Sequence, residues 1–294
     1  MLKLDAGPRH LRPTYAEDER QPYSRITPKP LSPTVGAELE GVSLAEPMDD
    51  ETFDEVHRAL LEFKVIFFRD QNITPEQHVA FAGRFGALET HPFVPHRDGH
   101  PEVMVLKKNA KIGGYENVWH SDVTWRQEPS LGSVLLAREV PDVGGDTLFC
   151  DMYAAFEGLD EDVRAAVDGK RAVHDFTRTF GRLLSPEDLE KKQKEFPPAE
   201  HPVIRTHPET GRKGIYVNCA FTSHIIGMDP EESDRLLQIL YRQAAVPEYQ
   251  CRFHWEPYSV AFWDNRAVQH YAVSDYFPKR RLMERVTIIG DRPY

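Results

Sequence analysis

Cysteine is scarce in this chain. The three present among 294 residues, Cys150, Cys219 and Cys251, are too few and too scattered for a disulfide framework or a Cys-x-x-Cys metal site. Long hydrophobic runs are missing too: no stretch approaches the roughly 20 apolar residues that a membrane span needs. The N-terminus has no charged-then-apolar pattern of a secretory signal. A cytoplasmic protein without a membrane partner is therefore expected. Positive charge is in deficit, with 36 Lys and Arg against 47 Asp and Glu and a formal charge of −11. That balance argues against a nucleic-acid partner, because a phosphate backbone rewards clustered cations. Internal repeats and low-complexity tracts are also lacking.

What is present suits a folded enzyme-sized body. Hydrophobic residues make up 40% of the chain and aromatics 11%, enough for a sizeable core. Residues 1–23, rich in Pro, Arg and acids, are expected to form a flexible arm, and residues 24–294 a single domain. Phe53, Val56, Leu60 and Leu61 follow helical spacing after an acidic start at Asp50. Thr74-Pro75-Glu76-Gln77 opens a second helix: Thr74 can cap it, Pro75 needs no donor at the first turn, and Gln77 can close a capping box. The same signature recurs at Ser185-Pro186 and Asp229-Pro230. Lys191–Glu195 is a charge run, expected as a solvated helix face, with a moving lid as the other reading. Elsewhere the pattern is of strands, at 64–69, 133–137, 146–149, 214–217, 259–263 and 285–289. Strands not separated by regular helices argue against a doubly wound parallel sheet. The expected fold is mainly β with flanking helices: a mostly antiparallel jelly roll, or double-stranded β-helix, of the cupin-like kind.

One short stretch carries chemistry. In Trp119-His120-Ser121-Asp122 an imidazole and a carboxylate lie two residues apart, on one face if the backbone is extended. Both could then reach one metal ion, and a distant third ligand would complete the two-His, one-carboxylate arrangement that suits non-haem Fe(II). His270, directly after a predicted strand, is the natural third. Arg281 and Arg285 share a strand face about 13 Å apart at ~3.3 Å per residue. Each guanidinium could hold a separate anion in charge-assisted pairs, whereas buried without anions they would be costly. The same three ligands could serve a zinc hydrolase, which gives no reason for the two arginines; a barrel could also hold an anion without turnover, but pure binding needs no metal triad with open positions.

The segments NVWHSDVTW, GGDTLFCD, HPVIRTHPETG and WDNRAVQHYAVSDYFPKRRLMERVTIIGD resemble the taurine dioxygenase branch of the Fe(II)/2-oxoglutarate-dependent oxygenases, from about Ile26 to the C-terminus. The resemblance implies a dioxygenase that binds Fe(II) through His120, Asp122 and His270. Thr147 and Arg281 would grip the distal carboxylate of 2-oxoglutarate, and O2 would be the oxidant. His91 and Arg285 would bind the anionic group of the prime substrate, and Val123, Phe180 and Phe221 would line its pocket. The expected product of a sulfonate is an aldehyde and sulfite. Two positions depart from the taurine pattern: Val94 stands where a tyrosine hydroxyl is expected, and Glu116 where an asparagine is. Glu116 is expected either to face solvent from a mobile loop or to meet an ammonium group on the substrate. The partner implied is thus a small anion, taurine or another alkylsulfonate first, then a sulfate ester, carboxylate or phosphonate. Relatives commonly form dimers or tetramers, so a homo-oligomer is expected.

Overall fold

A computed structural model describes residues 7–114 and 116–294; residues 1–6 of the expected arm, and Tyr115 of the expected loop, lie outside them. Two facing sheets of a jelly roll form the centre. The larger has eight strands in the order Thr27–Pro30, Ala37–Glu40, Val65–Phe68, Val260–Asp264, Ser130–Glu139, Arg281–Ile289, His100–Lys108 and His96–Arg97. Its pairs are antiparallel except that between Ala37–Glu40 and Val65–Phe68. The smaller sheet pairs Gln250–Phe253, Thr147–Asp151 and Val268–Ala272, all antiparallel.

Continuous apolar runs in the larger sheet have a physical reason: both of its faces are covered. In Val65–Phe68 every residue is buried. Val65 and Phe67 point between the two sheets, where Leu135, Phe149, Phe253, Trp263, Val268 and Met283 meet them. Ile66 and Phe68 point outward, against Val56, Leu60 and Phe81 of the helices Asp50–Phe63 and Pro75–Gly83. Phe67 stacks on Phe253 at 3.9 Å between centroids, so one aromatic pair ties the sheets together.

The capping signatures form as expected. Thr74 accepts from the Gln77 amide at 3.3 Å while the Gln77 side chain accepts from the Thr74 amide at 2.7 Å. Ser185 and Asp229 cap Pro186–Glu195 and Pro230–Gln243. The helix Pro186–Glu195 buries none of its residues and carries the ion pairs Lys192–Glu195 and Lys194–Glu190, a solvated face. The helices Met152–Glu157 and Glu161–Val167 carry no proline signature. The first starts on Asp151, whose carboxylate accepts from the amides of Tyr153 and Ala154. Both join a buried cluster shared with Cys150 of the smaller sheet and with Leu236, Leu237 and Leu240 of Pro230–Gln243.

Residues 7–23 contain no helix or strand, yet they touch the body. Arg9 donates to the Tyr249 hydroxyl at 3.2 Å, Thr14 to the Glu62 carbonyl at 3.0 Å, and Tyr23 to the Glu62 carboxylate at 2.7 Å. No helix among the described residues is long and apolar enough to cross a membrane.

Candidate metal and anion site

His120, Asp122 and His270 converge: one donor atom from each lies within 4.8 Å of the others. His120 Nε2 is 3.7 Å and His270 Nε2 3.9 Å from Asp122 Oδ1. The local backbone differs from the alternating strand expected of His-x-Asp. His120 makes a single antiparallel bridge with His270, its amide donating to the His270 carbonyl at 3.1 Å and the reverse at 2.8 Å. Asp122 lies in the turn that follows, and Val123 takes φ +46°, a left-handed conformation that is costly for a β-branched residue. The shared direction of His120 and Asp122 thus comes from a bridge and a strained turn, and the bridge seats the third ligand directly beside the first.

Hydrogen bonds orient these donors. His120 Nδ1 lies 2.8 Å from the Val118 carbonyl; a carbonyl only accepts, so Nδ1 carries the proton and Nε2 presents its lone pair. Burial alone would raise the Asp122 carboxyl, but Arg285 and the two imidazoles outweigh it and hold the group well below the usual carboxylate range. Burial and the neighbouring His120 push His270 down to about 3. Two imidazoles and one carboxylate, their donors turned toward a single point, fit a divalent metal of borderline softness.

The two arginines mark two ends of a cavity lined also by Lys108, Glu116, His120, Thr147, His270 and Tyr276. Arg281, 7% exposed, has an Nε without a hydrogen-bond partner and no carboxylate at ion-pair distance among the described residues. Its guanidinium lies 5.8 Å from the Trp255 ring centroid and 5.9 Å from that of Tyr276. Trp255 Nε1 in turn donates to the Thr147 hydroxyl at 3.0 Å. A buried cation held between aromatic rings, with a hydroxyl close by, fits a carboxylate arriving from outside.

Arg285 lies at the other end. Its Nη1 donates to both Asp122 oxygens at 3.0 Å, while Nε has no partner and Nη2 meets only the Met104 sulfur at 3.8 Å. Burial first, then Arg285, lowers His91 to about 3, so this imidazole is neutral. Its Nδ1 accepts from the Phe93 amide at 3.2 Å, which leaves the proton on Nε2 as a donor. An aromatic wall adjoins. Val123, Trp125, Phe176 and Phe221 form one buried cluster against which Phe93 and Phe180 pack; Phe180 lies 6.0 Å from His91 and 6.2 Å from Phe221 between ring centroids.

Glu116 is not poised only against solvent. Its carboxylate lies 2.5 Å from Lys108 Nζ, and its charge acts on Arg281 and Tyr276. Several further residues escape a reading of the sequence. Asn265, fully buried, accepts from the Asp122 amide at 2.6 Å and donates to the Asp122 carbonyl at 2.9 Å. Ser133 donates to Asp122 Oδ2 at 3.4 Å and shares a hydrogen bond with Thr287. Asn265 stands within the WDNR run, but no local pattern tells that its amide reaches residue 122. Trp255 and Lys108 carry no motif at all.

Comparison with known proteins places this geometry among relatives. Residues 27–287 match the family model described as Taurine catabolism dioxygenase TauD, TfdA family. An alkylsulfatase of Acinetobacter baylyi is 34% identical over 280 residues, 92% of this chain and 87% of that protein. An alpha-ketoglutarate-dependent sulfate ester dioxygenase of Pseudomonas putida is 35% identical over 272 residues, 90% of this chain and 89% of that one. The crystal structure of a taurine dioxygenase from Burkholderia xenovorans superposes with a TM-score of 0.80 at 40% identity, covering 92% of this chain and 91% of that one.

Proposed function

We propose, from the premise that this chain belongs to the TauD, TfdA family and is an Fe(II)- and 2-oxoglutarate-dependent dioxygenase, that its prime substrate is an alkylsulfonate or alkyl sulfate ester with an apolar chain. When bound, Fe(II) with 2-oxoglutarate and O2 supplies the power to hydroxylate a C–H bond as the co-substrate becomes succinate and CO2. His120, Asp122 and His270 would hold the metal, since their three donors face one point. Thr147 and Arg281 would hold the distal carboxylate of 2-oxoglutarate, which answers the charge of a buried guanidinium that has no carboxylate at ion-pair distance among the described residues.

The observation that carries the substrate reading is the unused donor set next to the triad. Among the described residues Arg285 Nε and Nη2 have no oxygen acceptor, and His91, with its Nε2–H free to donate, lies close enough for the Arg285 charge to lower it. A sulfo group supplies the three acceptor oxygens these donors lack. Each charge-assisted contact contributes about 1.5–3 kcal/mol. Val123, Phe180 and Phe221 would meet the carbon chain and turn one C–H bond toward the metal, which is catalysis by position. Hydroxylation of the carbon bearing the sulfonate sulfur, or the ester oxygen of a sulfate ester, gives an adduct that collapses to an aldehyde with sulfite or sulfate as the leaving group. Taurine fits less well. Its ammonium would meet an aromatic wall, and Glu116 is engaged with Lys108.

The test is succinate release with taurine, an unsubstituted alkylsulfonate and an alkyl sulfate of equal length, with sulfite and sulfate measured separately. The alkyl compounds are expected to exceed taurine in kcat/KM by about tenfold or more, the discrimination that one misplaced polar group costs. Faster turnover of taurine, or of a carboxylate of the same length, would overturn the assignment.

A further inference from the structure

One cavity has to receive two anions, and two arginines four residues apart on one strand both attract them. Coulomb attraction is unselective: a buried, unpartnered Arg281 would take a sulfo group as readily as a carboxylate. Some feature must keep each anion at its own end. The ion pair Lys108–Glu116 is placed to do so. Lys108 ends the strand His100–Lys108, directly opposite Arg281 in the antiparallel register. Glu116 comes from the segment leading to His120, and its Oε2 lies 3.4 Å from where a Cβ on Gly114 would stand. The Tyr276 hydroxyl lies 3.2 Å from that same point, and the Tyr276 ring faces the Arg281 guanidinium. Lys108, Glu116, Tyr276 and Arg281 therefore make a contiguous charged corner of the cavity. Glu116 acts on Arg281 and Tyr276; the charges that shift His91 are Arg285, Asp122, Arg126 and His96, and not Glu116.

We propose that the Lys108–Glu116 pair sorts the two anions, with Glu116 tempering the positive corner around Arg281 against simple anions and Lys108 masking Glu116 enough for 2-oxoglutarate to bind. The inference rests on the reading that Arg281 seats the distal carboxylate. Its physical basis is the difference between the ligands. 2-Oxoglutarate has a second attachment, its keto acid end on the metal, and can tolerate a weaker attraction at Arg281. A sulfo group or an inorganic anion at that corner has no second attachment, so the same loss of attraction leaves it unbound at concentrations where 2-oxoglutarate still holds, and a sulfate dianion, with twice the charge, feels that loss most. The Glu116 carboxylate is then specific by opposition, which an additional cation at the same place could not be.

Equilibrium binding of 2-oxoglutarate to the protein loaded with Mn(II), followed by calorimetry without turnover, tests this in the full chain. Inorganic sulfate serves as the competing simple anion. Glu116→Gln is expected to tighten 2-oxoglutarate severalfold and to let sulfate compete at about tenfold lower concentration, the size of one partly screened charge. Lys108→Met is expected to weaken 2-oxoglutarate by about tenfold, and the double variant Lys108→Met/Glu116→Gln to return near the wild-type value. The proposal is overturned if both single variants leave these constants within about twofold, or if both shift them in the same direction. Arg281→Ala in the same series separates the two levels. If it leaves 2-oxoglutarate binding intact, the reading of Arg281 fails; if it weakens binding while the pair has no effect, the sorting role alone fails.

Discussion

At the scale of single residues, the site divides by which arginine a ligand meets. Arg281 is buried between Trp255 and Tyr276 with no carboxylate at ion-pair distance among the described residues, whereas Arg285 is already engaged with Asp122 through Nη1. Arg281→Ala is therefore expected to raise the KM for 2-oxoglutarate by about ten- to a hundredfold, the loss of one charge-assisted contact of about 1.5–3 kcal/mol, and to leave the prime substrate's KM nearly unchanged. Arg285→Ala is expected to act mainly on the prime substrate. Initial rates with each ligand varied in turn would show it, and exchanged effects would reverse the two assignments. Arg285→Lys should recover little, because one ammonium cannot span both Asp122 oxygens and still offer donors to a sulfo group. His91→Gln places an amide where Nε2–H now stands and should keep part of the affinity that His91→Ala loses. Equal loss in both variants would show that His91 does not donate to the substrate.

At the scale of elements, the turn after His120 sets the direction of Asp122. Val123 holds φ +46°, and such a conformation persists only where the surroundings over-determine it. Asn265 supplies that constraint by clasping both the amide and the carbonyl of Asp122 while also donating to the Ser130 carbonyl at 3.3 Å. Asn265→Ala would leave the Asp122 backbone unanchored, and about ten- to a hundredfold weaker Fe(II) binding is expected, the usual cost of losing an outer-shell partner. Metal titration under anaerobic conditions measures it; an unchanged iron affinity would show that the turn holds itself. Elsewhere, helix starts obey local rules. Thr74→Ala removes a formed capping box and should cost about 1 kcal/mol, read as a lower unfolding midpoint with activity retained at room temperature.

At the scale of the whole molecule, buried histidines set the acid limit. Burial holds His78 and His201 down to about 4, against an ordinary value of 6.5. Between those values the unfolded chain binds protons that the folded protein refuses. Stability therefore rises with pH through this window and falls as pH drops below about 6.5, by up to about 1.4 kcal/mol per pH unit for each such group. The depressed carboxyls of Asp122 and Asp264 add their own loss only below about pH 4, where unfolded carboxylates begin to protonate. Urea midpoints measured at pH 7.5, 6.5 and 5 should decline across the series, most steeply over its lower half. A flat profile down to pH 5 would mean that these imidazoles take up protons in the folded state.

How much could be read from the chain before its structure follows from the range of each interaction. Helix caps, the β-branched strands and the His-x-Asp run are local, set by neighbours within a few residues, and they stood in plain view. So did the spacing of Arg281 and Arg285, because one strand carries both. The helices Met152–Glu157 and Glu161–Val167 did not, since their short apolar faces are defined only by the distant residues of the cluster they join. By itself the sequence determined the jelly-roll class, the three metal-facing residues and the two cationic positions. Tertiary structure alone decided that His120 and Asp122 meet through a bridge to His270 and a strained turn, that Asn265 holds that turn, and that Glu116 faces Lys108. Those contacts join segments separated by eight to more than a hundred residues, and for the distant ones only the closing of two sheets on each other brings the partners within reach.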